Sequence, residues 1–341
     1  MKFILLVSCW SLVNAVFITA PEGGHPADLF LIIDAAQQTP RIRTSRQQVF
    51  DAATSASTKA APPPYNTYEY MSYVERSTLF LTNAVRLSYK GYVSVFLKGV
   101  NTIGSSCAAS APSAKPLYWQ VNLQNAARAH TTDMSSRNCF THDTCSPALC
   151  KMYGSCSFAS RIAYFYKKPL YCAENCIVGF STVGYANLIK ALSAYLNSAG
   201  HCSNIMKPGL SEIGVAWNGT WNTNNFGGGP SDYAGFPITV GTHVVNDNNS
   251  VTFYMNYYSA SAAVSPVVCL NKDNCQGMLS VNMYPGTIFQ WTLAANNTLP
   301  VCITYVFYVF NANAYKRFPY KGAFYTNSYK GCAKEYTTEF I

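Results

Sequence analysis

The stretch Asn197-Ser198-Ala199-Gly200-His201-Cys202-Ser203-Asn204-Ile205-Met206, running into Ser211-Glu212-Ile213-Gly214-Val215-Ala216, joins two kinds of apolar periodicity within twenty residues. Before it, Tyr185, Leu188, Ile189, Leu192, Tyr195 and Leu196 recur at three- and four-residue steps, one face of a helix that Gly200 stops. After it, Ile213 to Trp217 reads as a strand. The junction carries a histidine, a cysteine and a carboxylate between a helix and a strand. Taken singly, His201 reads as a surface residue where the helix ends, and the serines beside it as caps.

Working outward, Trp119, Leu123, Ala126, Ala127, His130 and Met134 predict a second amphipathic helix, and Leu79 to Leu87 a weaker third. Val251 to Tyr258 alternates as a strand. Helices come first and strands later, which predicts an α+β layer rather than alternating βαβ units. Further on, Leu279 to Met283, Thr287 to Leu293 and Val301 to Phe310 are short, β-branched and aromatic, and predict a small all-β module.

The chain has 341 residues, of which 11% are charged and 49% apolar, with 25 Tyr. So apolar a chain excludes disorder. Its 24 basic and 15 acidic residues form no block, which argues against nucleic acid as a partner. Residues 1–15 have the lysine, apolar core and small-residue end of a secretory signal, and no apolar run reaches the length of a membrane span. Residues 16–67 contain no cysteine and include Ala61-Pro62-Pro63-Pro64, reading as a disordered linker or pro-segment; Arg43-Thr44-Ser45-Arg46 offers basic-specific proteases a cut after Arg46.

Thirteen cysteines point to an oxidising compartment, and the odd one, Cys9, leaves with the signal. The other twelve are expected in disulfides. Cys107, Cys139, Cys145, Cys150, Cys156, Cys172, Cys176 and Cys202 form one even set; Cys269, Cys275, Cys302 and Cys332 form another, with connectivity open. The two sets predict domains at 68–262 and 263–341. Sequons at Asn218, Asn248 and Asn296 predict glycosylated surface loops.

Leu117-Tyr118-Trp119, the run Ala126 to Met134, Phe140-Thr141-His142, Ala173-Glu174-Asn175 and Asn197 to Ala216 together resemble the CAP superfamily of cysteine-rich secretory, antigen 5 and pathogenesis-related proteins, also called SCP proteins. The likeness is to its compact bacterial-like branch and covers roughly residues 68–259. It implies a three-layer α-β-α sandwich, followed here by the small disulfide-stapled all-β domain. It also implies a cleft with two histidines and two acids able to bind a divalent metal such as zinc or calcium. Carried over by motif, His142 and His201 are the histidines and Glu174 the acid of a Gly-Glu-Asn element, with Ala173 replacing the glycine. No Asp or Glu lies between Cys176 and His201, so Glu212 is the nearest stand-in for the second acid.

Two imidazoles and a carboxylate are a ligand set that zinc accepts with one position open. No nucleophile motif accompanies them, so no cofactor is required on this reading. The resemblance implies a secreted glycoprotein that binds a lipid or sterol, or an extracellular protein or glycan. The alternatives are a metal-dependent, peptidase-like hydrolase using the same cluster, and a cell-wall or coat protein whose β-module adheres to sugars.

Overall fold

The computed structural model describes residues 31–33, 40–42, 71–98, 106–168, 171–231, 235–261, 263–272, 274–281, 287–295, 300–311 and 314–338. The expected signal at 1–15, the Arg46 cut and the sequon at Asn296 lie outside them. The chain divides into two units, residues 1–45 and 46–341. In the first, β1 (Leu31–Ile33) and β2 (Pro40–Ile42) pair antiparallel within the segment expected as a linker.

Among the described residues, the helices of the second unit are α1 (Tyr73–Leu87), α2 (Tyr89–Phe96), α3 (Ser106–Ser110), α4 (Val121–Arg137), α5 (Pro147–Tyr153), α6 (Phe158–Phe165), α7 (Tyr185–Asn197) and α8 (Ala199–Met206). Serines start several of them: Ser72 and Glu75 form a reciprocal capping box on α1, and Ser88, Ser146 and Ser157 accept from backbone N–H groups of α2, α5 and α6.

The first sheet consists of β3 (Tyr118–Trp119), β4 (Cys172–Val178), β5 (Leu210–Asn218) and β6 (Trp221–Gly228), in the order β3-β5-β6-β4. All pairs are antiparallel except β3 with β5. Its two faces are covered by different helices, as the resemblance implies. On one face α4 comes so close to β5 that a Cβ on Gly214 would overlap Gln124 N and Leu123 C, so only glycine fits there. On the other, Tyr195 of α7 donates to Asn222 Oδ1 at 2.7 Å, Asn204 of α8 to Asn175 Oδ1 at 2.9 Å, and Trp217 Nε1 to Thr78 Oγ1 of α1 at 3.0 Å. This is a three-layer α-β-α arrangement.

The second sheet joins β7 (Ile238–Val245) and β8 (Val251–Tyr257) to β11 (Leu279–Val281) and β12 (Thr287–Leu293), in the order β11-β12-β8-β7. Strand pairing thus runs across residue 262: Phe289 lies opposite Met255 and Trp291 opposite Phe253. The third sheet is all β from the C-terminal region: β9 (Val264–Leu270), β10 (Asn274–Gly277), β13 (Thr304–Asn311), β14 (Ala314–Phe318), β15 (Ala323–Tyr325) and β16 (Tyr336–Thr337). It is stapled by Cys269–Cys275 and Cys302–Cys332.

One hydrophobic core extends from Leu79 and Phe80 through Val215 and Phe253 to Tyr305 and Phe324. Helix α1 reaches all three sheets. Besides Thr78, its Ser77 hydroxyl bonds Thr242 of β7 at 2.8 Å, and its Arg76 guanidinium lies 3.8 Å from the centre of the Phe324 ring of β15. His243 of β7 is wholly buried; Nε2 donates to Asn327 O at 2.7 Å, leaving Nδ1 to accept from Tyr305 Oη at 2.9 Å.

The cysteine pattern corrects one expectation. Cys107–Cys202, Cys139–Cys145 and Cys150–Cys156 are bonded, whereas Cys172 and Cys176 keep free thiols. Both stand on β4 four residues apart, which puts them on one face but about 13 Å from each other, beyond the ~7 Å a disulfide spans.

Candidate functional site

Three segments converge at the open edge of the first sheet. The α4 helix ends on Asn138 in the left-handed conformation, and the chain turns through Phe140-Thr141-His142 in a loop tied by Cys139–Cys145. Asp133 of α4 fixes that loop by accepting from Cys145 N at 2.7 Å and Ser146 N at 3.1 Å. Strand β4 supplies Glu174, whose side chain shares its face with Cys172 and Cys176. The first turn of α8 supplies His201, whose backbone carbonyl accepts from Asn175 Nδ2 at 3.0 Å and whose ring stands edge-on to Tyr195, centroids 5.2 Å apart.

Glu174 is the hub. Its Oε1 accepts from His142 Nδ1 at 3.0 Å and lies 3.8 Å from His130 Nε2. Its Oε2 accepts from Arg161 Nη2 of α6 and, with the Asn225 amide oriented to satisfy both its atoms, from Asn225 Nδ2 at 2.9 Å. Asn225 sits directly across from Glu174 on β6. Arg161 is itself fully buried and also donates to Thr144 Oγ1 at 2.8 Å and His142 O at 3.1 Å, so one guanidinium fixes both the carboxylate and the His142 loop.

These contacts set the charges. Burial acts to raise the Glu174 pKa, but the His142 hydrogen bond and the Arg161 guanidinium outweigh it and hold the carboxyl below its usual range. The same hydrogen bond raises His142 above an ordinary imidazole. Burial, then the neighbouring His142, lowers His201. His130, with Nε2 on Thr141 O at 2.9 Å and no exposure, is pushed down to about 4 by desolvation.

His142, Glu174 and His201 are therefore brought together. His142 is half exposed, and its ring centre lies 6.2 Å from that of His201. Two imidazoles on one tetrahedral zinc would stand roughly 5 Å apart, so this pair could hold a divalent ion after a shift of about 1 Å. Glu174, hydrogen-bonded to His142 Nδ1, would orient that ring and leave its Nε2 toward the ion.

Glu212 does not join them. It points to the same sheet face from β5, opposite Gly227, which places it about 12 Å from Glu174 across two strands. There it is wholly buried, accepts from Tyr166 Oη at 2.7 Å, and leaves Oε1 without a hydrogen-bond partner among the described residues. The place next to Glu174 that a second acid would occupy is taken by Arg161 and Asn225. Neither had a signal in the sequence: Arg161 is a lone cation in a short Ser- and Phe-containing helix, and Asn225 belongs to a strand rich in asparagine.

Aromatic rings flank the His142 loop. Phe158 sits 6.2 Å from the His142 ring, and Phe140, 54% exposed, stands 6.2 Å from Trp221. Of the predicted glycosylation sites, Asn218 and Asn248 are exposed.

Residues 79–229 match the family model of the cysteine-rich secretory protein family, CAP. No curated protein matches the chain. Among solved structures, the chain resembles an extracellular protein containing an SCP domain from Bacillus anthracis, at 24% identity and a TM-score of 0.29, over 34% of this chain and 35% of that one. It also resembles an outer surface protein from Borrelia burgdorferi, at 17% identity and a TM-score of 0.28, over 33% of this chain and 78% of that one. The match to the first spans about a third of that protein's length.

Proposed function

With residues 79–229 a CAP domain of the cysteine-rich secretory protein family, we propose that the chain acts outside the cell by binding, through the face where His142 and His201 meet beside Phe158 and the exposed Phe140. Five disulfides among the described residues support an oxidising, extracytoplasmic setting. The observation that carries the binding reading is the state of Glu174. A metal-dependent hydrolase with a glutamate base needs that carboxylate free to take a proton from water. Glu174 instead accepts on both oxygens and is neutralised by a buried arginine, which makes it a positioning group for His142.

The cleft then offers two half-exposed imidazoles as polar contacts and aromatic faces as an apolar wall. That combination suits an amphipathic ligand, a sterol or fatty acid with one polar end, or an aromatic-rich segment of a surface partner. A divalent ion held by His142 and His201 would supply an electrophilic anchor for a carboxylate or hydroxyl. Titrating purified protein with a fluorescent sterol and a fluorescent fatty acid tests the reading. Saturable binding that weakens at least tenfold in His142→Ala and in Phe140→Ala is expected. No saturable lipid binding leaves the protein or glycan partner; turnover of a peptide or ester that is lost in His201→Ala overturns the reading.

A further inference from the structure

Cys176 is the anomaly of β4. Ten of the twelve cysteines among the described residues are bonded, yet this one keeps its thiol, wholly inside the protein, with Thr223 Oγ1 at 3.8 Å as its hydrogen-bonding neighbour. What surrounds it is a donor set. A ring nitrogen of His130, a carboxylate oxygen of Glu174 and Cys176 Sγ all lie within 4.8 Å of one another, and all three residues are buried. His130 has in addition a nitrogen, Nδ1, with no hydrogen-bond partner among the described residues, an uncommon state for a buried imidazole.

We propose that His130, Glu174 and Cys176 form a buried binding site for a thiophilic metal ion, zinc as the first choice. An imidazole nitrogen, a carboxylate oxygen and a thiolate sulfur are three of the donor types zinc takes at 2.0–2.3 Å, and donors around one tetrahedral ion stand roughly 3.5 Å apart. The separation of His130 Nε2 from Glu174 Oε1, 3.8 Å, is near that spacing, and the cluster as a whole needs to contract by about 1 Å; because Nε2 donates to Thr141 O at 2.9 Å, ligation moves the ring proton to the unpartnered Nδ1 and gives up the Thr141 bond. Glu174 Oε1 accepts from His142 and faces His130 Nε2, Oε2 stays with Arg161 and Asn225, and the Cys176 thiol hydrogen-bonds the same carboxylate, a position that loss of the thiol proton opens to the ion. The Sγ–metal bond forms as the thiol proton leaves to solvent, with no change of oxidation state. His142, half exposed above Glu174, marks the side from which an ion reaches the cluster.

The donor set is separate from the cleft pair His142 and His201, sharing only Glu174 as a neighbour, and it stands whether or not the cleft binds a lipid. Cobalt(II) chloride added to the full-length protein with its disulfides intact tests it. A thiolate-to-cobalt charge-transfer band, displaced by zinc, is expected in the wild type, in Cys172→Ser and in His201→Ala. It should vanish in Cys176→Ser, and His130→Gln should weaken the apparent affinity at least about 100-fold, the upper end of what losing an outer-sphere partner costs. X-ray absorption of the zinc-loaded wild type needs no variant to fold, and should show one sulfur at about 2.3 Å. A band that survives Cys176→Ser, or no band and no sulfur scatterer, overturns the proposal; loss of lipid binding in His142→Ala with the cobalt band intact would concern the cleft alone.

Discussion

Glu174 and Glu212 stand on the same face of the same sheet, both buried, two strands apart, and they have opposite fates. Glu174 has an arginine, a histidine and an amide pointing at it; Glu212 has one tyrosine hydroxyl and, among the described residues, no partner for its other oxygen. The difference is which helix lies overhead. Above Glu174 the loop after α4 and the middle of α6 bring polar groups inward, while around Tyr166 the neighbours are Leu123, Ala126 and Ile162. A carboxylate on a sheet becomes a site through what the covering helices deliver, and its own strand contributes the position alone.

The largest test of this contrast is Arg161→Met. It leaves Glu174 buried without its cation, and urea unfolding should register a loss of about 3–5 kcal/mol. A loss under 1 kcal/mol would mean that the guanidinium is dispensable.

Acid should come next. His130 is pushed down to about 4 and His243 to about 3, both by burial, so below pH 6.5 the unfolded chain takes up protons that the native state refuses. Stability should therefore fall as pH drops from 6.5 to 4.5, by about 2–3 kcal/mol for each buried histidine. The lowered Glu174 pKa has a different window: its contribution is present above the ordinary carboxylate range and is lost as pH falls through its own folded value, below about 4.5. His142 runs the other way; its raised pKa stabilises the fold at pH below 6.5, and that contribution fades as pH rises through its folded value. Unfolding free energies of the wild type and of His243→Gln, measured between pH 4 and 8, separate these windows; a flat profile between 6.5 and 4.5 would contradict the burial of both rings.

Third, Glu174→Gln should cost about 1.5–3 kcal/mol, the range for hydrogen bonds to a charged group, and should bring the His142 pKa down toward 6.5 in an NMR titration. Smallest, Glu212→Gln should cost about 1 kcal/mol or less, because Tyr166 can donate to an amide oxygen just as well. If Glu212→Gln proves the costlier of the two, the contrast fails.

The legible part of the molecule was the part with period. Tyr185 to Leu196 became α7, Trp119 to Met134 lies within β3 and α4, and Thr287 to Leu293 is β12 to the residue. His142, Glu174 and His201 were readable because each sits in a short motif whose chain order survives in space. Strand β6 was not, since Asn222, Thr223, Asn224 and Asn225 look like a loop until neighbours supply their partners: Asn222 bonds Ala216 O and Tyr195 Oη, and Asn225 bonds Glu174. Glu212 was misplaced for a related reason. The alternation of β5 gives it the correct face, but strand order decides the distance, and the order β3-β5-β6-β4 interposes β6. The free thiols on β4 were hidden by an even cysteine count, which says how many bonds can form and nothing about which thiols can meet.

The contact between Tyr73 N and Glu335 Oε2, 2.6 Å long, joins residues 262 positions apart and places α1, the first described helix of the larger unit, beside the start of β16. On the ribosome this means that the buried face of α1, with Arg76 meant for Phe324, is made early and completed last. The nascent chain must carry that face uncovered through the synthesis of every strand between them. At elongation rates of about 5–20 residues per second the exposure lasts on the order of 10–50 seconds, a window in which a chaperone would have the most to protect.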